Sequence, residues 1–402
     1  MSEPIKYLSL CDNVDNTSLV MIIAYFSNYF NHHQRPIAEA LNAIEGVEYY
    51  FIATTGVPSF RKQLGYQEMT ANYVLDVTLS DENMRKAMVL ARTADVSIFG
   101  GGRVWKFAVE RLKLRKLTFG TSERRFKRGY LNLFSPNLLK HQWIYWRYGC
   151  KAPFYMLSCS AYTANDFNFL GSFIGKCYKW AYFTKVNELA IEDILVLKRH
   201  TRCKMMWCSR FIDWKHPELC VYLAKKLKHD GVDFEINMYG NGPLLEQCKK
   251  LIEKHSLSDS VHIMGNRSND EILVAMQKHN IFLFTSDQNE GWGAVANEAM
   301  SNGCVLVGAD KIGAIPFLVK DNENGRIFKS KNLNSLYLTV KELIADRTRC
   351  ESLARAAYYT MREVWSPENA ATCLLELIDN LQNGKATSIL EGPCSKAEPY
   401  KK

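Results

Sequence analysis

Short, continuous apolar runs alternate along this chain with stretches of helical period, and the alternation occurs twice. Residues 19–25 (LVMIIAY) carry no polar interruption, the pattern of a strand buried on both faces. A helix predicted from Pro36 to about Ile44 follows, then Gly46 and a second strand over residues 48–53. A helix over 81–93 leads into a strand at 95–99. The second half repeats the scheme, with strands at 204–208, 233–238 and 260–263 and helices at 217–229 and 243–255. Such alternation folds as a parallel sheet covered by helices, so the expected class is α/β with two doubly wound, Rossmann-like halves. A length of 402 residues suits two domains. We expect a first domain over 1–190 and a second over 191–383, joined through the charged segment 184–202 and closed by a helix over 366–383. A polar tail over 384–402 is expected to fray.

The segment 284–303 (FTSDQNEGWGAVANEAMSNG) sets Glu290 and Glu298 eight positions apart around a glycine-rich turn. A strand at 281–284 precedes it, and a helix from about Ala294 to Asn302 follows and stops at Gly303. Glycine lets backbone approach a phosphate closely, and a helix start presents N–H groups and a positive dipole end. Gly291, Trp292, Gly293 and Ala294 are therefore the expected phosphate donors. Carboxylates beside such a site repel a bare phosphate but accept hydrogen bonds from sugar and ribose hydroxyls. The bland alternative makes Glu290 a turn residue and Glu298 a solvated helix residue. Ala296, Ala299 and Met300 argue against it, because they mark a buried helix, where a carboxylate needs a partner. Arg210 and Lys215 follow the strand at 204–208, on the kind of loop where open α/β sheets bind ligands.

With these residues in view, the chain resembles the retaining glycosyltransferases of GT-B fold, specifically the nucleotide-sugar-dependent enzymes of group 1, or family 4. The resemblance rests on the Glu290/Glu298 pair, on 207–219 (WCSRFIDWKHPEL), and on the strand-to-loop units at 234–243, 261–267 and 313–319; it covers 203–383 well and the first half loosely. It implies two Rossmann-like domains facing across a cleft. Glu298 would then bind the ribose, Arg210 and Lys215 the diphosphate, Glu290 a hydroxyl of the donor sugar, and Gly265 would belong to the donor side. The implied reaction moves a sugar, with retention, from a nucleoside diphosphate sugar to a hydroxyl of a lipid-linked glycan in polysaccharide biosynthesis. Neither a metal nor a resident cofactor is expected, the nucleotide sugar being a co-substrate. Glu290→Gln is expected to lower turnover with little change in melting temperature.

The chain also departs from the family pattern. Ser209 and His216 stand where glycine is usual, and Phe317 where many members carry glutamate. Residues 117–127 read as strand, turn, then basic helix, and they place Ser122 and Glu123 where many members present a histidine. Glu123 either stabilises positive charge developing on the anomeric carbon or pairs with Arg124 or Arg125 as plain structure. Asn28, His32 and His33 lie at the cleft mouth as acceptor-side candidates; adjacent histidines point different ways, so one at most is expected in the site. Gly100–Gly102 lacks the G-x-G-x-x-G spacing and is expected to let the domains or a substrate approach the backbone.

A net charge of +9, from 51 basic and 42 acidic residues, argues for an anionic partner. Residues 111–128 hold eight Lys and Arg against Glu123 alone, and an aromatic-rich amphipathic stretch over 131–148 follows. That combination suits an anionic membrane surface; the same stretch would otherwise pack its aromatic side on the domain core. The longest apolar run, 19–26, is far short of a bilayer span, so the expected location is cytoplasmic and peripheral on the inner membrane face. Twelve cysteines without a C-x-x-C pair are expected as reduced thiols. Nucleic acid is not an expected partner. Two rivals share the architecture: a sugar-nucleotide epimerase and a noncatalytic nucleotide-sugar-binding protein.

Overall fold

Residues 20–58, 69–127 and 129–400 are described by a computed structural model, in which thirteen strands form two all-parallel sheets. The first sheet contains β1 (Met21–Ser27), β2 (Val47–Ala53), β3 (Val74–Asp76), β4 (Val96–Phe99), β5 (Thr118–Ser122), β6 (Phe154–Ser158) and β7 (Cys177–Lys179), in the order β3-β2-β1-β4-β5-β6-β7. The second contains β8 (Cys203–Cys208), β9 (Phe234–Tyr239), β10 (Val261–Gly265), β11 (Ile281–Phe284), β12 (Val305–Ala309) and β13 (Arg326–Phe328), in the order β10-β9-β8-β11-β12-β13. Every residue of β11 and β12 is buried, which is why these strands read as unbroken apolar runs. Strand order reverses between β1 and β4, and again between β8 and β11. Loops leaving the carboxyl ends of such neighbours diverge, and each sheet therefore opens a crevice at its switch point.

The junction contains the Ile191–Leu197 helix, and Gly303 approaches its Ile191 and Ile194 closely. Buried Lys198 fixes the end of this segment by donating to the carbonyls of Met276 (2.7 Å) and His279 (2.5 Å). The last helix, Pro367–Gln382, is capped by Ser366 and packs against the Arg35–Asn42 helix of the first domain. No helix among the described residues is long and apolar enough to cross a membrane.

Two expectations fail here. Residues 384–400 do not hang free: they run beside β7, with Cys394 N donating to Lys179 O (2.8 Å), Lys179 N to Ser395 O (2.8 Å) and Ala397 N to Cys177 O (3.0 Å). Cys394 and Ala397 are buried, while Lys401 and Lys402 lie outside the described residues. The basic helix after β5 is also absent over 123–127. Asp166, forty residues away in sequence, accepts the backbone N–H groups of Arg125 (2.6 Å) and Phe126 (2.8 Å) and holds the segment in an irregular loop.

Candidate active site

The two switch points face each other across a cavity of about 1460 Å³, lined from both domains. Cys208, Ser209, Lys215, Glu290, Gly293, Ala294 and Glu298 come from the second domain. Asn28, His32, His33, Ser122 and Glu123 come from the first. A neighbouring opening of about 800 Å³ sets Arg210, Trp214, Glu290 and Gly291 against Glu123, Lys127, Leu131 and Phe134.

Lys215 and Glu290 form a buried ion pair, and Ser286 Oγ donates to the same Glu290 oxygen (3.1 Å). A hydroxyl relay places the lysine: Trp207 Nε1 donates to Thr285 Oγ1 (2.9 Å), which donates to Lys215 O (2.6 Å). His216 next to it adopts φ +49°, a left-handed conformation that glycine takes at least cost. Its ring sits between Glu218 (3.0 Å) and Asp287 (3.2 Å). Burial opposes charge on this imidazole, but the two carboxylates outweigh it and hold the pKa above its ordinary value. Arg210 is exposed, with its guanidinium 5.8 Å from the Trp214 ring centroid.

Glu298 is buried on the cavity wall, and no side chain among the described residues bonds its carboxyl group. Burial alone pushes its pKa up to about 7. The turn between the glutamates is tightly packed. Gly293 has φ +86°, and a Cβ there would fall 2.3 Å from the Phe284 ring. A Cβ at Gly291 would fall 1.9 Å from Glu123 Oε2, and one at Gly313 would fall 1.7 Å from Gly291 O and 2.4 Å from Ser160 Oγ. Beside the site the second domain therefore presents bare glycine backbone to the Glu123 and Ser160 side chains of the first. Trp292, expected as a phosphate donor, lines neither opening: its ring is in the core, with Nε1 donating to Asn297 Oδ1 (2.9 Å).

On the first domain, Glu123 takes neither expected arginine. It pairs with Lys127 and accepts from Tyr182 OH (2.8 Å). Arg124 instead lies 3.6 Å from Asp166 and over the Tyr162 ring. Ser122 Oγ is turned to Glu123 O (2.7 Å). His32 and His33 both line the cleft, with ring centroids 3.9 Å apart, so the expectation of one at most is wrong. They occupy a turn, where the alternation of extended backbone does not apply. Gly100–Gly102 brings together two loops of one domain rather than two domains: a Cβ on Gly102 would fall 2.8 Å from Asn28 Cα. Gly265 is a bulge residue at φ +69° whose carbonyl accepts from Gly240 N (2.9 Å). The cleft wall beyond it is supplied by Arg267, Ser268, Asn269 and Asp270, which sequence reasoning missed. Their signal was the capping box formed by Ser268 and Glu271 at the start of the Asn269–Met276 helix.

Comparison with known proteins agrees with this architecture. Residues 196–360 match the family model described as glycosyl transferases group 1. The poly(glycerol-phosphate) alpha-glucosyltransferase of Bacillus subtilis is 28% identical over 148 residues, which is 36% of this chain and 22% of that protein. The putative colanic acid biosynthesis glycosyltransferase WcaL of Salmonella typhimurium is 25% identical over 144 residues, 35% of each chain. The matched stretches thus span about a fifth to a third of those relatives. Among solved structures, Anabaena HepE in complex with UDP aligns with a TM-score of 0.66 at 15% identity, covering 90% of this chain and 100% of that one. TarM aligns with a TM-score of 0.64 at 11% identity, covering 89% and 99%. The second domain thus carries a stretch similar to the group 1 glycosyltransferases, and the chain as a whole shares the two-domain fold of these solved structures.

Proposed function

We propose that this chain transfers a sugar, with retention, from a nucleoside diphosphate sugar to a hydroxyl of a glycan acceptor in polysaccharide biosynthesis. The observation that carries this reading is the buried Lys215–Glu290 pair and the Glu298 carboxyl group on one cavity wall, either side of the Gly291–Gly293 turn. In the reaction, Glu298 accepts hydrogen bonds from the ribose and Glu290 from a donor-sugar hydroxyl. Cleavage of the sugar–phosphate bond puts extra negative charge on the departing diphosphate. Lys215, Arg210 and the amides of the turn stabilise that charge without a metal. The acceptor enters past Asn28, His32 and His33, and its hydroxyl proton passes to the departing phosphate oxygen on the same face. Glu123, paired with Lys127, bonded by Tyr182 and seated on Gly291, faces the developing positive charge of the sugar.

A thermal-shift screen across nucleoside diphosphates and their sugars tests this reading. A ligand at about 100 times its dissociation constant adds about 2.7 kcal/mol of stability, so one nucleotide series should raise the melting temperature clearly. A flat response to every nucleotide would remove the transferase reading. Conversion of the donor without an acceptor would make the chain an epimerase, and binding without turnover would make it a sensor.

We also propose peripheral contact with an anionic membrane. The Pro136–Arg147 helix packs Leu138, Ile144 and Tyr145 inward, yet Trp143 and Trp146 are 57% and 56% exposed, and Phe134 just before it is 82% exposed. Rings left outside beside Lys127, Lys140 and Arg147 suit the headgroup layer. Replacing Trp143 and Trp146 together with serine should weaken association with anionic vesicles at least about tenfold and leave nucleotide binding intact. Unchanged sedimentation with vesicles would reject membrane contact.

A further inference from the structure

The cleft does not end at the donor turn. The same cavity extends into the first domain beneath the Pro136–Arg147 helix, where its walls are Ala108, Tyr145, Phe154, Phe167 and Phe173, all buried, with half-buried Trp105. The aromatic walls of this gallery offer little to a sugar hydroxyl. They would bury an apolar chain well.

Polar groups stand among these walls. Arg125 and His141 both line the cavity, with the Arg125 guanidinium 5.3 Å from the Phe167 ring centroid and the His141 ring stacked on Trp105 at 4.3 Å. Arg125 Nε and His141 Nδ1 are shielded from solvent and find no hydrogen-bond partner among the described residues. Asp166, the nearby acid, is already engaged by the backbone N–H groups of Arg125 and Phe126 and by the Arg124 guanidinium. A guanidinium whose shielded Nε has its hydrogen bond unmade calls for an anionic acceptor. The helix that turns Leu138 and Tyr145 inward also leaves Leu139, Trp143 and Trp146 outside, among Lys140 and Arg147. A helix serving only as core would show water a polar face.

We propose that the gallery is a subsite for a membrane-borne amphiphile, with an anionic phosphate-class group held at Arg125 and His141 and an apolar chain beneath the Pro136–Arg147 helix. Its role as the acceptor anchor rests on the transferase reading; its capacity to bind does not. The occupant's polar end then emerges in the cleft beside Glu123 and Glu290.

The test uses the full chain and n-alkyl phosphates of six to fourteen carbons, kept below their micelle concentrations, in a calorimetric titration. Affinity should rise about fourfold per added methylene and then level off once the gallery is filled. Ala108→Phe, which plugs the gallery, should cut dodecyl phosphate affinity by more than about fiftyfold, the loss of about three methylene contributions. Trp143→Ser with Trp146→Ser should leave monomer binding unchanged. The proposal is overturned if dodecyl phosphate does not bind saturably, binds no better than inorganic phosphate, survives the plug, or is lost with the tryptophans. If the plugged protein fails to fold, the wild-type length series decides, and affinity that climbs without levelling overturns the proposal. A nucleoside diphosphate thermal shift run in parallel separates the two readings, since it can fail while alkyl phosphate still binds the gallery, and the reverse.

Discussion

Glu290→Gln is expected to lower turnover at least about tenfold and to destabilise the fold by about 3 kcal/mol. The first effect follows from losing a charged acceptor for a sugar hydroxyl, worth about 1.5–3 kcal/mol. The second contradicts the expectation drawn from sequence, that melting would hardly change. Glu290 is the counter-charge of Lys215, and both are at least nine-tenths buried. Removing one partner of such a pair leaves a charge stranded in a poorly solvated place. A second substitution separates the two effects: Glu290→Gln with Lys215→Met should recover most of the stability and none of the turnover. Denaturant unfolding and sugar transfer, measured on the wild type and the variants, form the check. A single variant as stable as wild type would show that the pair is well solvated.

Glu298→Gln should raise stability and weaken nucleotide binding, each in a particular pH range. Burial holds the folded carboxyl group near pKa 7 against an ordinary 4.5. The group is a raised-pKa acid, so its contribution is complete below about pH 4.5 and lost as pH climbs through about 7. Above that, ionised Glu298 burdens the fold by roughly 3 kcal/mol. Glutamine does not titrate, so the variant should melt with the wild type near pH 5 and distinctly above it near pH 9. Nucleotide affinity should run the other way. Ribose hydroxyls donate to a carboxylate, so wild-type affinity should rise as pH passes about 7, while the variant binds at least about tenfold more weakly and without that rise. Melting curves and nucleotide titrations from pH 5 to 9 test both, and a pH-independent wild type would refute the burial argument.

The paired doubly wound sheets were legible because their central strands are buried on both faces and leave unbroken apolar runs such as Ile281–Phe284. The second domain's share of the candidate site was legible because its parts are close in sequence: two glutamates, a turn, a helix and its stop all lie within 284–303. What escaped depended on distance. Tyr182 reaches Glu123 across 59 residues, Glu290 reaches Lys215 across 75, and Asp166 dissolves a basic helix from 41 residues away. The segment at 384–400 escaped for a different reason. It joins the first domain through main-chain hydrogen bonds, which nearly any sequence can make, beside a strand of only three residues. His216 shows the limit of reading a departure from pattern as a defect. A strained backbone is tolerated there because Glu218 and Asp287 clamp the ring that glycine would lack.

The course of the chain after residue 366 bears on how the two halves can move. Because the Pro367–Gln382 helix and the strap beyond it return to the first domain, the second half is topologically an insert, entered near residue 190 and left near residue 366. An insert tied at two places can swing about the line joining its ties but cannot slide away along the partner surface. Where the insert meets Glu123 and Ser160 of the first domain it presents the bare backbone of Gly291 and Gly313, so no side chain of the insert stands in the way of that swing at this contact.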